Sequence, residues 1–327
     1  MNLDKYPWLE DIYESINFDN LPHGIIFNGA SGIGKTILAK KVASAILMNF
    51  NPNINNKHAT LLDKNNHPDM YLLDKDKLGV NDISRRKESK NWDEEKGFKD
   101  VVSFLTLTPS ISKNKVVLIL NADLMTDGAQ NALLKSLEEP APYSYIIMTT
   151  NRPKALNQTI YSRCQVINIK NLTLSETNEW LSREGISDFN AIDFPSFSTP
   201  FKIIEDIQND NQNAYKEFIS IIDDFIMHKT DQSQAIKLFS DLDLSFMEKI
   251  SFLVEFLKII LMSRILQNDL GGTYKNFNIA KFNKLKISNI INDLNQLRYD
   301  FYKVTSINET HVLNYFFSEL KQSIKQL

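Results

Sequence analysis

Cysteine is almost absent from this sequence, which has a single thiol, Cys164, among 327 residues. One thiol cannot form a disulfide within the chain, and such low usage is typical of proteins in a reducing compartment. Structural zinc needs several closely spaced cysteine or histidine ligands, and His58 and His67 alone do not supply them. The sequence therefore predicts a cytoplasmic protein with neither a disulfide nor zinc.

Long apolar runs are also missing. No uncharged run approaches the roughly 18 residues that are needed to span a bilayer. The best candidate, residues 246–266, carries five charged side chains: Glu248, Lys249, Glu255, Lys258 and Arg264. Residues 1–6 lack the basic-then-apolar pattern of a secretion signal. We therefore expect no membrane segment, and we interpret residues 246–266 as a core helix.

A strong charge of either sign is the third absence. The formal net charge is −3, with 43% apolar and 24% charged residues, which is ordinary for a globular protein. Such a chain has no overall attraction for nucleic acid, so contacts with DNA would be local or made by partners. The length allows two or three domains, each with its own core.

One motif, in contrast, is complete. Residues 29–36 fit G-x-x-x-x-G-K-[ST] at every position and comprise Gly29, Ala30, Ser31, Gly32, Ile33, Gly34, Lys35 and Thr36. Glycines let the backbone wrap closely enough for successive N–H groups to face phosphate oxygens. The following helix adds the positive end of its dipole. In such a loop Lys35 would reach the β- and γ-phosphates of ATP or ADP, and the Thr36 hydroxyl would bind Mg²⁺.

The surrounding pattern supports this interpretation, because the motif requires a strand before it and a helix after it. Apolar and β-branched runs predict strands, and helical spacing predicts helices between them. The strands are expected at 24–28, 67–73, 115–120 and 145–150, and the helices at 1–24, 36–47, 97–107 and 129–138. Strands that alternate with helices predict an α/β domain with a parallel sheet flanked by helices, ending near residue 170.

The chain becomes mostly helical after residue 170. Ser175 is a plausible cap for the first of these helices. The pair Gly271 and Gly272 marks the clearest break, and the polar segments 49–66 and 85–96 in the first half are predicted to lie on the surface. The C-terminal helices carry a broad apolar stripe and late aromatic residues, which predict at least an internal bundle core.

The strand at 115–120 lacks the acidic pair that ATPases of this class usually place at its end. There an aspartate helps to hold Mg²⁺ and a glutamate polarises water. The expected positions are occupied by Leu120 and Asn121, neither of which can perform these roles. Asp123 lies two residues later and could replace the missing acids only in a shifted register.

These motifs together resemble bacterial clamp loaders of the AAA+ class, and within them the delta-prime family of DNA polymerase III subunits. The resemblance covers roughly residues 5–170. It rests on the loop, on the block A-L-L-K-S-L-E-E-P at 132–140 and on the triplet Ser162, Arg163 and Cys164. It implies an AAA+ domain at 1–170, a helical lid at 171–228 and an all-α collar at 229–327 that serves oligomerisation.

The resemblance also implies functional residues. Arg163 would act in trans as an arginine finger in a neighbouring motor subunit, and a guanidinium suits the charge on a γ-phosphoryl group. The alternative for Arg163 is an ordinary surface ion pair. Thr150 would sense nucleotide at the end of its strand. Residues 198–202 correspond to a second sensor, without its glycines and with Lys202 in place of arginine, and the cysteines of the family's zinc module are missing.

Three hypotheses follow from the sequence. The first is a non-motor subunit of the DNA polymerase III holoenzyme that binds ATP or ADP with Mg²⁺, hydrolyses it poorly and lends Arg163 to a motor subunit. Its implied partners are the motor subunits and delta in a hetero-pentamer, with the sliding clamp and primed DNA reached through the complex. The second is an active AAA+ ATPase, the motor subunit itself, that relies on Asp123. The third is a P-loop fold retained only as a scaffold.

Overall fold

A computed structural model describes residues 3–48, 60–62, 66–84, 100–152, 154–267, 274, 277, 282–301 and 308–324. The chain divides into two compact units, Met1–Leu172 and Thr173–Leu327. Two predictions, the surface segment 85–96 and the break at Gly271 and Gly272, lie outside the described residues, as do His58 and most of 49–66.

The first unit is built on a parallel sheet. Its strands are β1 (Gly24–Asn28), β2 (Met70–Leu73), β3 (Lys115–Ile119), β4 (Ser144–Thr150) and β5 (Gln165–Asn168). The spatial order is β2-β3-β4-β1-β5, and every neighbouring pair is parallel. The predicted α/β class with a flanked parallel sheet is confirmed, and β5 is an edge strand that was not predicted.

Helices connect these strands as parallel pairing requires. Helix α1 (Pro7–Glu14) precedes β1, and the connecting helices are α2 (Lys35–Leu47), α3 (Val80–Ile83), α4 (Val101–Thr106), α5 (Asp127–Glu138) and α6 (Gln158–Tyr161). The prediction of helix throughout 1–24 was wrong in extent, since the described part of this range, residues 3–24, contains as helix only α1 and a 3₁₀ turn at Phe18–Asn20. Helix α5 begins two residues before the predicted start, because the Thr126 hydroxyl caps it by accepting from the N–H of Ala129.

Alternate side chains of the central strands enter two different cores, as the two-residue period of a strand dictates. One face, covered by α1 and α2, contains Ile25, Phe27, Val116, Leu118 and Ile147. The other face, covered by α4 and α5, contains Ile26, Val117, Ile119, Ile146 and Met148. Both faces are buried, which explains the continuous apolar runs in the sequence.

A buried carboxylate fastens the chain before β3 to the start of β2. Asp69 is fully buried and accepts backbone N–H groups from Ser110, Ile111 and Ser112 at 2.6, 2.9 and 2.7 Å. The hydroxyl of Ser112 in turn donates to the carbonyl of Leu47 at the end of α2. One side chain thus satisfies three donors and holds a turn that contacts α2.

Replacing this carboxylate should destabilise the first unit. We expect Asp69→Ala to lower the free energy of unfolding by about 3 kcal/mol, since three N–H groups lose a charged acceptor. Urea denaturation of the full chain measures the change. The exposed Asp76, replaced in Asp76→Ala, is the control and should behave like the parent. Equal midpoints for all three proteins would contradict this role of Asp69.

The second unit is helical in its described residues. The helices are α7 (Leu174–Arg183), α8 (Pro200–Gln208), α9 (Ala214–Ile226), α10 (Gln232–Ser240), α11 (Phe246–Leu266), α12 (Lys284–Phe301) and α13 (Glu309–Ser323), with a 3₁₀ turn at Ala191–Asp193. The expected cap Ser175 was wrong. Thr173 caps α7, because its hydroxyl accepts from the N–H of Glu176 while the Glu176 carboxylate accepts from the N–H of Thr173.

Phenylalanines dominate the core of the second unit. Phe218, Phe239, Phe256, Phe316 and Phe317 are fully buried there. The apolar stripe of α11 lies inside the same core, with Leu261 at its margin. The stripe is therefore interior, as the bundle-core interpretation predicted. No helix among the described residues combines the length and apolar character required to cross a membrane.

Candidate functional site

The phosphate-binding motif lies between β1 and α2, at the carboxyl edge of the sheet, where parallel α/β sheets place their ligands. The N–H of Gly29 donates to the carbonyl of Thr150 at 3.3 Å, which joins the start of the loop to the end of β4. A Cβ at Gly29 would lie 2.9 Å from the carbonyl oxygen of Ile169, so only glycine fits there. Gly32 and Gly34 have φ angles of 73° and 99°, which side chains rarely adopt.

The N-terminus of α2 faces the loop. Gly34 is its N-cap residue and offers no side-chain acceptor to the first N–H groups of the helix. Uncapped N–H groups at the positive end of a helix form an anion site. Thr36 is exposed in the first turn, so its hydroxyl is accessible to a bound cation. The geometry fits a phosphate chain with Mg²⁺.

Lys35 is folded back onto the loop. Its ammonium donates to the carbonyls of Gly29 and Ala30 at 2.9 and 2.6 Å, and the residue is buried. An ammonium has three N–H bonds, so one is left for a phosphate oxygen as far as the described part of the chain shows. Burial lowers the pKa of Lys35 to about 8, an effect that the carboxylate of Asp123 partly offsets.

Trp8 supports the phosphate loop through a hydrogen bond, and the sequence patterns did not identify it. Its indole N–H donates to the carbonyl of Ile33 at 2.9 Å. Helix α1 is thereby attached to the turn that precedes Lys35. No local signal could have identified this contact, because the two residues are 25 positions apart.

A polar network occupies the same edge beside the loop. The carboxylate of Asp123 accepts from Nε of Arg152 and from the N–H of Asn151, both at 3.1 Å. The Asp123 carbonyl accepts from Nη2 of Arg152 at 2.7 Å. Asp123 is almost completely buried in this network. Both of its carboxylate oxygens are therefore engaged within the chain, and Arg152 is a site residue that the sequence analysis did not single out.

Leu120 and Asn121 occupy the two positions where an ATPase of this class carries acids. Leu120 is buried in the core below the loop. Asn121 has a φ of 50° and accepts, through its side-chain oxygen, the amide of Asn151 at 3.1 Å. Neither can hold Mg²⁺ as a carboxylate or polarise water, so the usual hydrolytic pair is missing at these two positions.

Thr150 lies at the end of β4 and is fully buried. Its hydroxyl donates to the carbonyl of Arg152 at 3.1 Å and accepts the Arg152 N–H at 3.2 Å. It therefore shapes the turn that presents Arg152 to Asp123. A sensing role for Thr150 stays a prediction.

Arg163 lies at the amino end of the strands, opposite the carboxyl end where the phosphate loop lies. It precedes β5, whose first residue Gln165 is level with Ile25 near the start of β1, whereas the loop follows the end of β1. Four strand steps of about 3.3 Å separate Gly24 from Asn28, which amounts to about 13 Å. Arg163 thus lies at least a strand length away from the phosphate loop of its own chain.

Comparison with known proteins identifies the family. A sequence profile described as "DNA polymerase III, delta subunit" matches residues 6–173, just over half of the chain. The chain belongs to this family. The match ends at residue 173, one residue beyond the end of the first compact unit at Leu172.

Individual proteins similar to this chain agree with the family match. This chain is 31% identical over 199 residues to "DNA polymerase III subunit delta'" of Haemophilus influenzae, and the aligned region covers 58% of this chain and 54% of the relative. The Bacillus subtilis protein of the same description is 29% identical over 183 residues, which cover 55% of this chain and 52% of the relative. "DNA polymerase III subunit gamma/tau" of Mycoplasma pneumoniae is 32% identical over 166 residues, which cover 50% of this chain and 22% of the relative. The chain thus spans about half the length of its delta' relatives.

Lys202 and His67, which the sequence analysis considered as possible functional residues, both contact other groups of the chain. Lys202 in α8 forms ion pairs with Glu205, Asp206 and Glu248 at 3.3 to 3.4 Å. Burial alone would lower its pKa, but these three carboxylates together raise it. His67 is buried, and its Nδ1 accepts the N–H of Asp69. Within the described ranges, no group of three or more His, Cys, Asp or Glu residues is arranged to hold a metal.

The single thiol gives a direct test of packing next to Arg163. Cys164 packs against the backbone at Gly24, where a Cβ would lie 2.7 Å from its sulfur, and burial raises its pKa to about 12. Since only the thiolate attacks alkylating reagents, we expect iodoacetamide at pH 8 to modify the folded chain at least about 100-fold more slowly than the chain in guanidinium. Mass spectrometry follows the single adduct. Equal rates in the two states would refute a half-buried, protonated thiol.

Proposed function

We propose that this chain is a clamp-loader subunit of a bacterial DNA polymerase III that binds ATP or ADP with Mg²⁺, hydrolyses it poorly, and supplies Arg163 to the ATP site of a neighbouring motor subunit. The observation that carries the proposal is the position of Arg163 relative to the phosphate loop. Arg163 lies at the amino end of the parallel strands and the phosphate loop at their carboxyl end. Arg163 can therefore assist phosphoryl transfer only at another chain's nucleotide.

Nucleotide binding is supported by the intact loop. Its glycines have the required backbone conformations, the start of α2 is uncapped, and Lys35 has an N–H bond available. Weak hydrolysis is supported by Leu120 and Asn121 at the positions where an ATPase carries acids. A water molecule beside the γ-phosphate would lack the carboxylate that orients it for attack.

Access from outside supports the trans role of Arg163. The guanidinium-bearing side chain is one-third exposed, and it precedes the edge strand β5, where Gln165, Val166 and Asn168 are exposed. A finger must reach across an interface while keeping its charge, and a guanidinium remains protonated at any physiological pH.

The proposed partners follow from the family. Relatives from Haemophilus influenzae and Bacillus subtilis are described as DNA polymerase III subunit delta', so we infer assembly with motor subunits and delta in a hetero-pentamer. The sliding clamp and primed DNA would be contacted through that complex, in the cytoplasm. Residues 171–228 would form the lid, and residues 229–327 the collar that joins the subunits.

A catalytically active motor subunit is the second candidate. One observation favours it, because the charge of Asp123 acts on Lys35 and therefore lies near the phosphate loop. Against it, both oxygens of the Asp123 carboxylate are engaged by Arg152 and Asn151. Mg²⁺ or water would have to displace these contacts.

Hydrolysis and binding measured on one sample of the purified chain separate the candidates. We expect saturable binding of a fluorescent ATP analogue with Mg²⁺, and turnover far below about 1 s⁻¹, a rate ordinary for a slow enzyme. Asp123→Asn should leave this residual turnover unchanged. Turnover near 1 s⁻¹ that Asp123→Asn abolishes would establish the motor function instead, and the absence of binding would refute the nucleotide part of the proposal.

A further inference from the structure

The side chain of Arg163 is held in place by two neighbouring elements. Its Nη1 donates to the carbonyl of Thr159 at 2.9 Å and to the hydroxyl of Ser162 at 3.3 Å. Its Nη2 lies 2.7 Å from Oε1 of Glu138, the last residue of α5. The guanidinium is thus fixed from one side by the preceding helix α6 and its C-cap residue Ser162, and from the other by a carboxylate from α5.

These contacts leave part of the donor fork available. A guanidinium has five N–H bonds. Among the described residues, Nε–H and one N–H of Nη2 have no acceptor in the chain. An arginine held in this way can still present two donors to an incoming phosphoryl group.

The two helices that hold the guanidinium are themselves connected. Gln130 in α5 is buried, and its side-chain oxygen accepts the N–H of Asn157, the residue before α6, at 2.7 Å. Leu137, next to Glu138, is buried in the core and approaches the backbone at Gly24. The carboxylate of Glu138 therefore projects from a packed frame rather than from a free helix end.

We propose that Glu138 is a positioning residue for Arg163, which orders the guanidinium before the neighbouring subunit's nucleotide arrives. This inference rests on the proposed function. An ion pair as exposed as this one contributes little to folding stability, so stability does not explain it. Ordering a long side chain in advance removes an entropic cost that would otherwise fall on the transition state.

The test uses the reconstituted clamp loader with its motor subunits and matched glutamate variants. Glu138→Gln keeps the size of the side chain and removes its charge, and we expect it to lower kcat at the ATP site that Arg163 reaches about three- to tenfold with little change in KM. Glu139→Gln removes the same charge one residue later, at an exposed position, and should leave kcat unchanged. Adding Glu138→Gln to Arg163→Ala should cause no further loss, since Glu138 acts only through Arg163.

The outcomes distinguish this inference from the proposal on which it rests. If Arg163→Ala leaves the rate unchanged, the finger assignment itself is wrong. If Arg163→Ala lowers the rate while Glu138→Gln matches the parent, the finger holds and the positioning role is refuted. A higher rate in Glu138→Gln would also overturn it, because Glu138 would then restrain Arg163. Thermal unfolding of each variant chain should match the parent, which excludes misfolding as the cause of a loss.

Discussion

Arg163→Ala is expected to lower ATP hydrolysis at the one motor-subunit site that Arg163 reaches by about 10³-fold, the smaller of the effects known for arginine fingers. The reconstituted clamp loader should therefore lose the share of its ATPase rate that this site contributes. The loss falls on the chemical step, because the alanine cannot stabilise charge on the γ-phosphoryl group of the neighbouring subunit. Nucleotide affinity of the variant chain itself should match the parent, since Arg163 lies at the edge of the sheet opposite its own phosphate loop.

Two measurements on the same preparation make this prediction specific. Steady-state hydrolysis by the complex gives the rate, and titration of the isolated chain with a fluorescent ATP analogue gives its affinity. Arg183→Ala, at an exposed position in the last turn of α7, removes an equal charge and should change neither. A complex that keeps its full rate with Arg163→Ala would leave the Glu138–Arg163 contact as an ordinary surface ion pair.

Lys35→Ala is expected to weaken ATP binding by this chain by about 100-fold or more, because the phosphates lose their buried cationic partner. The variant also removes the donor that holds the carbonyls of Gly29 and Ala30, so the loop loses part of its support. Fluorescent-nucleotide titration with and without Mg²⁺ measures the affinity.

Lys40→Ala provides the matched control for this prediction. It removes a lysine from the same helix α2, five positions further along and without a contact to the loop carbonyls, and should bind ATP like the parent. Circular dichroism melting of both variants shows whether the first unit remains folded. Unchanged affinity in Lys35→Ala would favour the scaffold hypothesis, in which the loop no longer serves nucleotide binding.

The class of the fold was predictable because local patterns were strong. The strand positions followed from continuous apolar runs such as Val116 to Leu118, which two buried faces require. Helix ends were less predictable. Ser175 and Thr173 are both good caps by residue type, and the choice of Thr173 depends on the Glu176 carboxylate that completes the capping box. The predicted lid and collar boundaries, 171–228 and 229–327, remain predictions.

The candidate site was also predictable only in part from the sequence. The phosphate loop is a contiguous motif, so its glycines, Lys35 and Thr36 could be identified by spacing alone. The contacts that surround it join residues far apart in the chain. Asp123 meets Arg152 across 29 positions, and Trp8 meets Ile33 across 25. No periodicity or local motif records such pairings.

The sequence by itself determined that this chain has a phosphate loop, a parallel sheet to hold it, and leucine and asparagine where an ATPase places acids. Those properties reside in residue types at short spacing, which set backbone conformation and burial locally. Only the tertiary structure decided that Arg163 lies at the edge opposite its own loop, beside Glu138, and that Arg152 engages Asp123. Strand order and register set these distances, and they arise from packing between segments that are remote in the chain.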